Sequence, residues 1–293
     1  SAAALVALAA ASGALVPAIA PSVRALLREV APDQEVRETA YALESVIQEL
    51  IWITGPLVVA VVVTFASPAG ALLLSAAFCI GGTALFVASP LARRPRSVER
   101  HRERAAVLAM PELRVLLAPM ALMGASLGAI DVGLPALALH VGSRPATGLL
   151  LAMLSIGSLS GGLWYGSRAW RGPLAERYGL VMMTAVACTA PLIAVRTIPE
   201  GLVCSLLAGV TIAPAFSCLY ALVGRVVSPG SETEAFTWVA CALIMGLAAG
   251  SALGGVGVGA AGVSGPFALA CLASGLASLL AVRARDRLQS VAG

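Results

Sequence analysis

The sequence predicts an all-α polytopic membrane protein, and three observations support this prediction. Of the 293 residues, 59% are hydrophobic and only 12% are charged, with a mean hydropathy of +0.93. A soluble domain carries about 25% charged residues. Apolar stretches long enough to cross a bilayer recur along the whole chain. Two stretches also repeat one another, which is typical of membrane proteins built from duplicated halves.

Nine segments have the length and composition of membrane-spanning helices. Such a helix needs about 20 mainly apolar residues. The nine segments are 3–23, 42–66, 69–90, 113–139, 147–167, 179–195, 199–223, 235–262 and 264–282. None of them alternates polar and apolar residues with period two, so the pattern favours helices over the strands of a barrel.

The internal repeat joins the beginning of the chain to its last third. Four residue pairs share an offset of 197 positions: Pro17/Pro214, Arg28/Arg225, Pro32/Pro229 and Glu35/Glu232. Gly13 and Gly209 match one residue out of step, and after a two-residue slip Gly55 matches Gly250. Each copy is expected to be a long apolar helix, a short charged loop and a second long helix. Chance similarity is the alternative, but matching prolines and charges within the loop favour duplication.

The distribution of arginine predicts the orientation in the membrane. All 19 basic residues are arginine, and the intervening loops contain only Arg144 and Arg196, while Arg114 begins a helix. Basic loops remain on the cytoplasmic side. We therefore expect a multi-pass plasma-membrane protein with Ser1 outside and a cytoplasmic C-terminus. The remaining arginines lie in alternate loops and the C-terminal tail: Arg24, Arg28, Arg37, Arg93, Arg94, Arg96, Arg100, Arg102, Arg104, Arg168, Arg171, Arg177, Arg225, Arg283, Arg285 and Arg287.

Composition argues against an enzyme, a metalloprotein and a nucleic-acid-binding protein. The six cysteines all fall within apolar segments without CxxC spacing, where they are expected to be small buried hydrophobic residues, and the chain has two histidines. We find no Ser/His/Asp constellation or phosphate-binding loop. The net charge of +4 comes from arginines at helix ends rather than from one basic face. We expect no cofactor, no bound metal and no nucleic-acid partner.

Residues 91–111 form the one long connector, and its stretch from Arg93 to Arg104 is strongly basic. With the repeat and the helix pattern, this connector resembles the central loop of the major facilitator superfamily (MFS), and the resemblance covers the whole chain. MFS transporters usually have twelve helices in two six-helix halves. The resemblance implies helices four to six in residues 1–90, the cytoplasmic central loop in 91–111, helices seven to twelve in 112–285 and a cytoplasmic tail in 286–293.

This register implies nine transmembrane helices of an expected twelve, in two pseudo-symmetric halves. We expect three further helices upstream, roughly 90–100 residues at about 30 residues per helix and loop. A genuine nine-helix protein is the alternative. Because half of the substrate cavity would come from the upstream helices, we expect the 293-residue chain to be inactive by itself.

Carboxylates within apolar segments are the main candidates for substrate binding or proton coupling, because intramembrane charge is costly and usually functional. Glu49 and Glu44 lie in segment 42–66, and Asp131 lies about two-thirds of the way along 113–139. Each has a structural alternative. Glu44 could stabilise a first turn, Glu49 could accept an interhelical hydrogen bond, and Asp131 could cap a helix break near Gly133. Trp52 and Tyr220 are candidate cavity residues, with lipid-facing placement as the alternative.

Several glycines and arginines are candidates for conformational roles. Gly55-Pro56 resembles the Gly-Pro motif of the superfamily's drug–proton antiporters, which implies close packing between halves. The paired glycines that usually follow are absent, and Ala9 stands where the family has an arginine. The spacing of Gly246, Gly250 and Gly254 predicts close helix packing. Arg24, Arg28, Arg168 and Arg171 are expected at a cytoplasmic gate or loop.

We therefore expect a secondary active transporter that moves a small solute by alternating access, with proton-coupled efflux as the first hypothesis. Uptake of a metabolite or sugar is the alternative within transport, and a transport-inactive scaffold or sensor is the alternative outside it. The expected partners are the lipid bilayer, a small-molecule substrate and protons as the candidate coupling ion. We expect a monomer.

Overall fold

The computed structural model describes residues 8, 17, 19–31, 33–91, 93, 110–143, 146–227 and 231–292. All regular structure in these residues is helical, which confirms the predicted all-helical fold for this part of the chain. A short 3-10 turn, Ala190–Ala194, follows the sixth helix. The ten helices are α1 (Ile19–Val30), α2 (Gln34–Phe65), α3 (Pro68–Ala88), α4 (Pro111–His140), α5 (Ala146–Gly166), α6 (Leu174–Thr189), α7 (Ile198–Gly209), α8 (Ile212–Val226), α9 (Glu232–Ala261) and α10 (Ser264–Ala292).

Seven spans in the described residues are long and apolar enough to cross a membrane. They are α3, α4, α5, α6 with its following turn, α7 together with α8, α9, and α10 as far as Arg285. The predicted segment 42–66 falls within the 32-residue α2, which is not among the seven. Most of segment 3–23 and most of the connector 91–111 lie outside the described residues. The structure thus supports a polytopic membrane protein, while the count of nine spans stays a prediction.

The first charged loop is much shorter than the sequence predicts. The apolar segments end at residue 23 and resume at 42, but α1 continues to Val30 and α2 already begins at Gln34. Asp33 explains this early start, because its side chain accepts a hydrogen bond from the backbone N–H of Glu35 at 2.9 Å and caps α2. The charged residues on either side of this turn are therefore held on rigid helices.

The same arrangement recurs at α8 and α9, as the sequence repeat predicts. Helix α8 ends at Val226 and α9 begins at Glu232, so each copy has two helices separated by a few residues. Helix α1 packs against α9, and α2 packs against α8. Each helix of the first copy thus contacts the helix that holds the other position in the second copy, while the two pseudo-symmetric halves stay a prediction.

The predicted segment 199–223 is not one helix, since it breaks between α7 and α8. Pro214 has no N–H to donate to residue 210, and its ring conflicts with continuation of the helix. A neighbouring helix compensates for the break: the Ser158 hydroxyl accepts a hydrogen bond from the Ala213 N–H at 3.2 Å. Thr211 donates its hydroxyl proton to the Ala208 carbonyl at 3.2 Å.

Other helix boundaries also differ from the prediction. Helix α6 begins five residues before segment 179–195 and gives way at Ala190 to the 3-10 turn, where Pro191 cannot continue an α-helix. Helix α10 continues to Ala292, so the predicted tail 286–293 is helical as far as it is described. Cys79 and Cys241 are exposed, contrary to the expectation that all six cysteines are buried.

Glycines allow two helix pairs to approach at backbone distance. A Cβ atom at Gly246 of α9 would collide with the backbone of Ala121 in α4, and one at Gly250 would collide with Ala125. A Cβ atom at Gly157 of α5 would collide with the Leu206 carbonyl of α7. Backbone groups cannot move aside as a flexible side chain can, so α4–α9 and α5–α7 are fixed pairs.

Candidate functional site

The candidate site lies at the arginine-rich end of the bundle, where α1 ends and α2 begins. Here α1 and α2 contact α5, α8 and α9. We call this contact surface the seam. The residues that meet across it are more than 100 positions apart in the chain, so bonds across it report how the two groups of helices are held together.

The first cluster in the seam is built around Arg24 of α1, which is only 3% exposed. Its guanidinium forms a two-pronged ion pair with Glu44 of α2, at 2.7 Å from Nη2 and 3.0 Å from Nε. Nη2 also donates to the Gln48 side-chain oxygen at 2.7 Å. On the other side of the seam, the ring centroid of Tyr220 in α8 lies 3.9 Å from the guanidinium carbon. The Arg24 charge is thus neutralised by Glu44 on its own side of the seam, and its guanidinium stacks on the Tyr220 ring from the other side.

The second cluster is built around Glu38 of α2, which binds two arginines across the seam. Arg177 of α6 donates to one carboxylate oxygen at 2.9 Å, and Arg225 of α8 donates to the other at 2.5 Å. Glu38 precedes the apolar part of α2. Burial opposes its ionisation, but the Arg177 and Arg225 guanidinium groups outweigh this and hold the pKa of the Glu38 carboxyl below its ordinary value. Glu38 is therefore ionised at neutral pH and ties three helices together.

Hydrogen bonds extend from Arg177 into the apolar core. Its Nη1 donates to the Tyr165 hydroxyl at 3.2 Å, and that hydroxyl lies 3.0 Å from the sulfur of Cys218, with either atom as donor. Cys218 is completely buried. The cysteine is thus joined to the second cluster through the Tyr165 hydroxyl and has no exposure to solvent.

The structure brings three of the predicted site residues together: Arg24, Glu44 and Tyr220 form the first cluster. Asp131 lies apart from them on α4, where its side chain is exposed and makes no hydrogen bond or ion pair to other described residues. Gly55 of α2 is half-buried, and a Cβ atom there would meet no described atom within 4 Å. The side chains of Arg28, Glu49, Trp52 and Pro56 lie outside the described residues.

The remaining predicted residues lie in a loop and in a helix contact. Arg168 and Arg171 are exposed in the loop between α5 and α6. Gly246 and Gly250 make the backbone contacts of α9 described above. A Cβ atom added to Gly254 would lie 3.3 Å from the Cα atom of Ala129, so this contact is looser.

Sequence reasoning missed the centre of the second cluster. The local pattern places Glu38 in a charged stretch without marking it as a candidate, Arg177 enters only through the orientation rule, and Arg225 enters through that rule and the repeat. The repeat contained a usable signal, because Arg225 is the copy of Arg28 and lies at a helix end that meets the other copy. A search for a carboxylate partner of Arg225 at the corresponding end of the first copy would have found Glu38.

No protein-family model matches the chain, and no curated protein sequence matches it. Within the part of the chain that the structure describes, no group of three or more histidine, cysteine or acidic side chains could hold a metal ion. The charges join the two groups of helices at one end: the two ion pairs of Glu38 and the Arg24–Tyr220 cation–aromatic contact cross the seam. Separating the groups requires the Glu38 ion pairs and the Arg24–Tyr220 contact to break together.

Proposed function

We propose that the protein is a secondary active transporter of the major facilitator type, with its arginine-rich end in the cytoplasm and the seam as its cytoplasmic gate. The Glu38 carboxylate supports this proposal most strongly, because it bridges two arginines on helices far along the chain. In alternating access, one end of the cavity is closed while the other is open. Breakable ion pairs concentrated at one end are what a gate requires, whereas a static bundle has no need of them.

Opening of the gate can be measured through the buried thiol of Cys218. In a variant that keeps Cys218 and carries alanine at the other five cysteines, alkylation by N-ethylmaleimide should be slow. Glu38→Gln removes the negative charge that both arginines bind, and each charge-assisted hydrogen bond contributes about 1.5–3 kcal/mol. We expect Glu38→Gln to speed alkylation of Cys218 about tenfold or more in proteoliposomes.

Glu35 provides the matched control for this experiment. It lies one turn before Glu38 on α2 and is exposed, so Glu35→Gln makes the same chemical change without touching the seam. Glu35→Gln should melt near the parent temperature, whereas Glu38→Gln should melt lower because two part-buried arginines lose their charged partner, so alkylation is measured well below both melting temperatures. Equal alkylation rates in Glu35→Gln and Glu38→Gln would contradict a gate held by Glu38.

Asp131 is the proposed proton-coupling residue, since it is an unpaired carboxylate within a helix of membrane-spanning length. The complete reading frame that encodes this chain, reconstituted in proteoliposomes, should acidify or alkalinise the lumen when the transported solute is added. Asp131→Asn should abolish this proton movement while the melting temperature changes by only about 1 °C, because no described contact is lost.

A pH-sensitive dye in the lumen and a panel of solute classes provide the readout. Solute flux that persists without proton movement in the parent protein would exclude proton coupling at Asp131. No flux with any solute class would favour a scaffold or sensor.

A further inference from the structure

An open cleft with a volume of about 640 Å³ lies beside the seam, between the start of α2 and the loop 167–173. Pockets that bind small molecules have volumes of about 300–1,000 Å³. Asp33 and Glu35 line one wall, and Arg168 and Arg171 line the other. The two walls thus have opposite charge, so the sign of the ligand's charge depends on which wall has free hydrogen-bonding groups.

The arginine wall has unused donors. Arg168 and Arg171 are exposed, and neither side chain has a hydrogen-bond or ion-pair partner among the described residues. This distinguishes them from the arginines of the seam, which bind carboxylates. The Arg168 guanidinium carbon lies 4.5 Å from the ring centroid of Trp164, which is 48% exposed. Stacking on this ring fixes the cation without neutralising it.

One residue that lines the cleft also has a buried side-chain donor without an acceptor. Arg177 lines the cleft, and its side chain is only 10% exposed. Its two terminal nitrogens donate to Tyr165 and Glu38, but its buried Nε–H has no partner among the described residues. A buried donor without an acceptor is costly. An acceptor oxygen that entered the cleft and reached this donor would remove that cost.

Two of the three carboxylates on the acidic wall already have partners, and the third, Glu35, is exposed. The Asp33 carboxylate accepts from the Glu35 backbone N–H, and the Glu38 carboxylate is shared by two arginines.

The loop 167–173 on the opposite wall is held in place, because the Trp170 indole N–H donates to the Tyr165 carbonyl at 2.8 Å. Its ring also stacks on Tyr165, with 5.2 Å between centroids. The arginine wall is therefore a prepared surface for an anion.

We propose that this cleft binds the phosphate of an anionic phospholipid headgroup, with Arg168, Arg171 and the Arg177 Nε–H as donors. A lipid is favoured over a soluble phosphate because α5, a helix of membrane-spanning length, ends at the cleft and places an exposed tryptophan there. Tryptophan concentrates at the headgroup level, and basic pockets at that level bind anionic headgroups. Only the choice of leaflet rests on the proposed cytoplasmic orientation.

Native mass spectrometry of the 293-residue protein in mixed detergent–lipid micelles tests this site without any transport assay. The probes are dioleoyl phosphatidylglycerol and, as the neutral reference, dioleoyl phosphatidylcholine. We expect at least one tightly retained phosphatidylglycerol. We expect Arg168→Gln and Arg171→Gln each to weaken its binding about fivefold, from about 1 kcal/mol per basic residue near a membrane surface.

Arg196→Gln is the control, because Arg196 is exposed on the side opposite the loop 167–173 and the substitution removes the same charge. It should leave retention of phosphatidylglycerol unchanged. Equal retention of the two lipids, or equal loss in Arg168→Gln and Arg196→Gln, would overturn the proposal. Displacement of the lipid by millimolar inorganic phosphate would also overturn it and would identify the site as one for a soluble phosphate.

Discussion

Replacing Gly250 by leucine is expected to prevent stable folding, with a loss of more than about 3 kcal/mol in the free energy of unfolding. The added Cβ atom would overlap the carbonyl oxygen of Ala125 and lie 2.6 Å from its Cα atom. Because these are backbone atoms of α4, relief requires the two helices to separate. That separation would also break the neighbouring contact of Gly246 with Ala121. The melting temperature in detergent and the fraction of monodisperse protein after extraction measure this effect.

Gly255, five residues further along α9, is the matched control. It is exposed, and a Cβ atom there would meet no described atom within 4 Å. Gly255→Leu should therefore express and melt like the parent protein, apart from a small gain in helix propensity. If Gly250→Leu behaved like Gly255→Leu, the backbone contact of α4 with α9 would be wrong.

Removing either partner of the Arg24–Glu44 ion pair is expected to cost about 3 kcal/mol in the free energy of unfolding. Glu44 is only 15% exposed, and Arg24→Leu leaves its carboxylate without the paired guanidinium. Glu44→Leu leaves the buried Arg24 with only Gln48 as a hydrogen-bond acceptor. An unpaired buried charge is strongly destabilising. The double variant removes both charges and should recover to within about 1 kcal/mol of the parent protein.

Unfolding in denaturant, followed by tryptophan fluorescence, gives all four free energies of this double-mutant cycle. The expected coupling energy is large, since the two single effects overlap. Strictly additive effects would show that Arg24 and Glu44 act independently, which their 2.7 Å contact does not allow. The ring of Tyr220 contacts the Arg24 guanidinium from α8, so the single variants should also weaken the seam.

The sequence predicted the helical class and the close packing of one glycine face because these follow from short-range patterns. Apolar segments identified most spans, and the spacing of Gly246 and Gly250 predicted a close helix contact, although it could not identify α4 as the partner. Helix limits were less predictable. The capping hydrogen bond of Asp33 starts α2 within a charged stretch, and Pro214 breaks an apolar stretch that looks continuous.

The seam could be predicted only in part, because its contacts join distant positions of the chain. Arg24 and Glu44 were each singled out as candidates, but nothing in either local pattern indicated that they pair. Glu38 and Arg177 are 139 positions apart. Only the internal repeat relates the two regions, and it implies equivalent positions rather than contacts.

The backbone contact between α4 and α9 has a consequence for the synthesis of the protein. Gly124 of α4 lies against α9 at Leu243, about 120 residues later in the chain. At a translation rate of about 5–20 residues per second, α4 exists for roughly 6–24 s before its partner has been made. During that interval its glycine-lined face is open to other apolar helices. A membrane chaperone or insertase that shields nascent helices would therefore act on this protein chiefly between the emergence of α4 and that of α9.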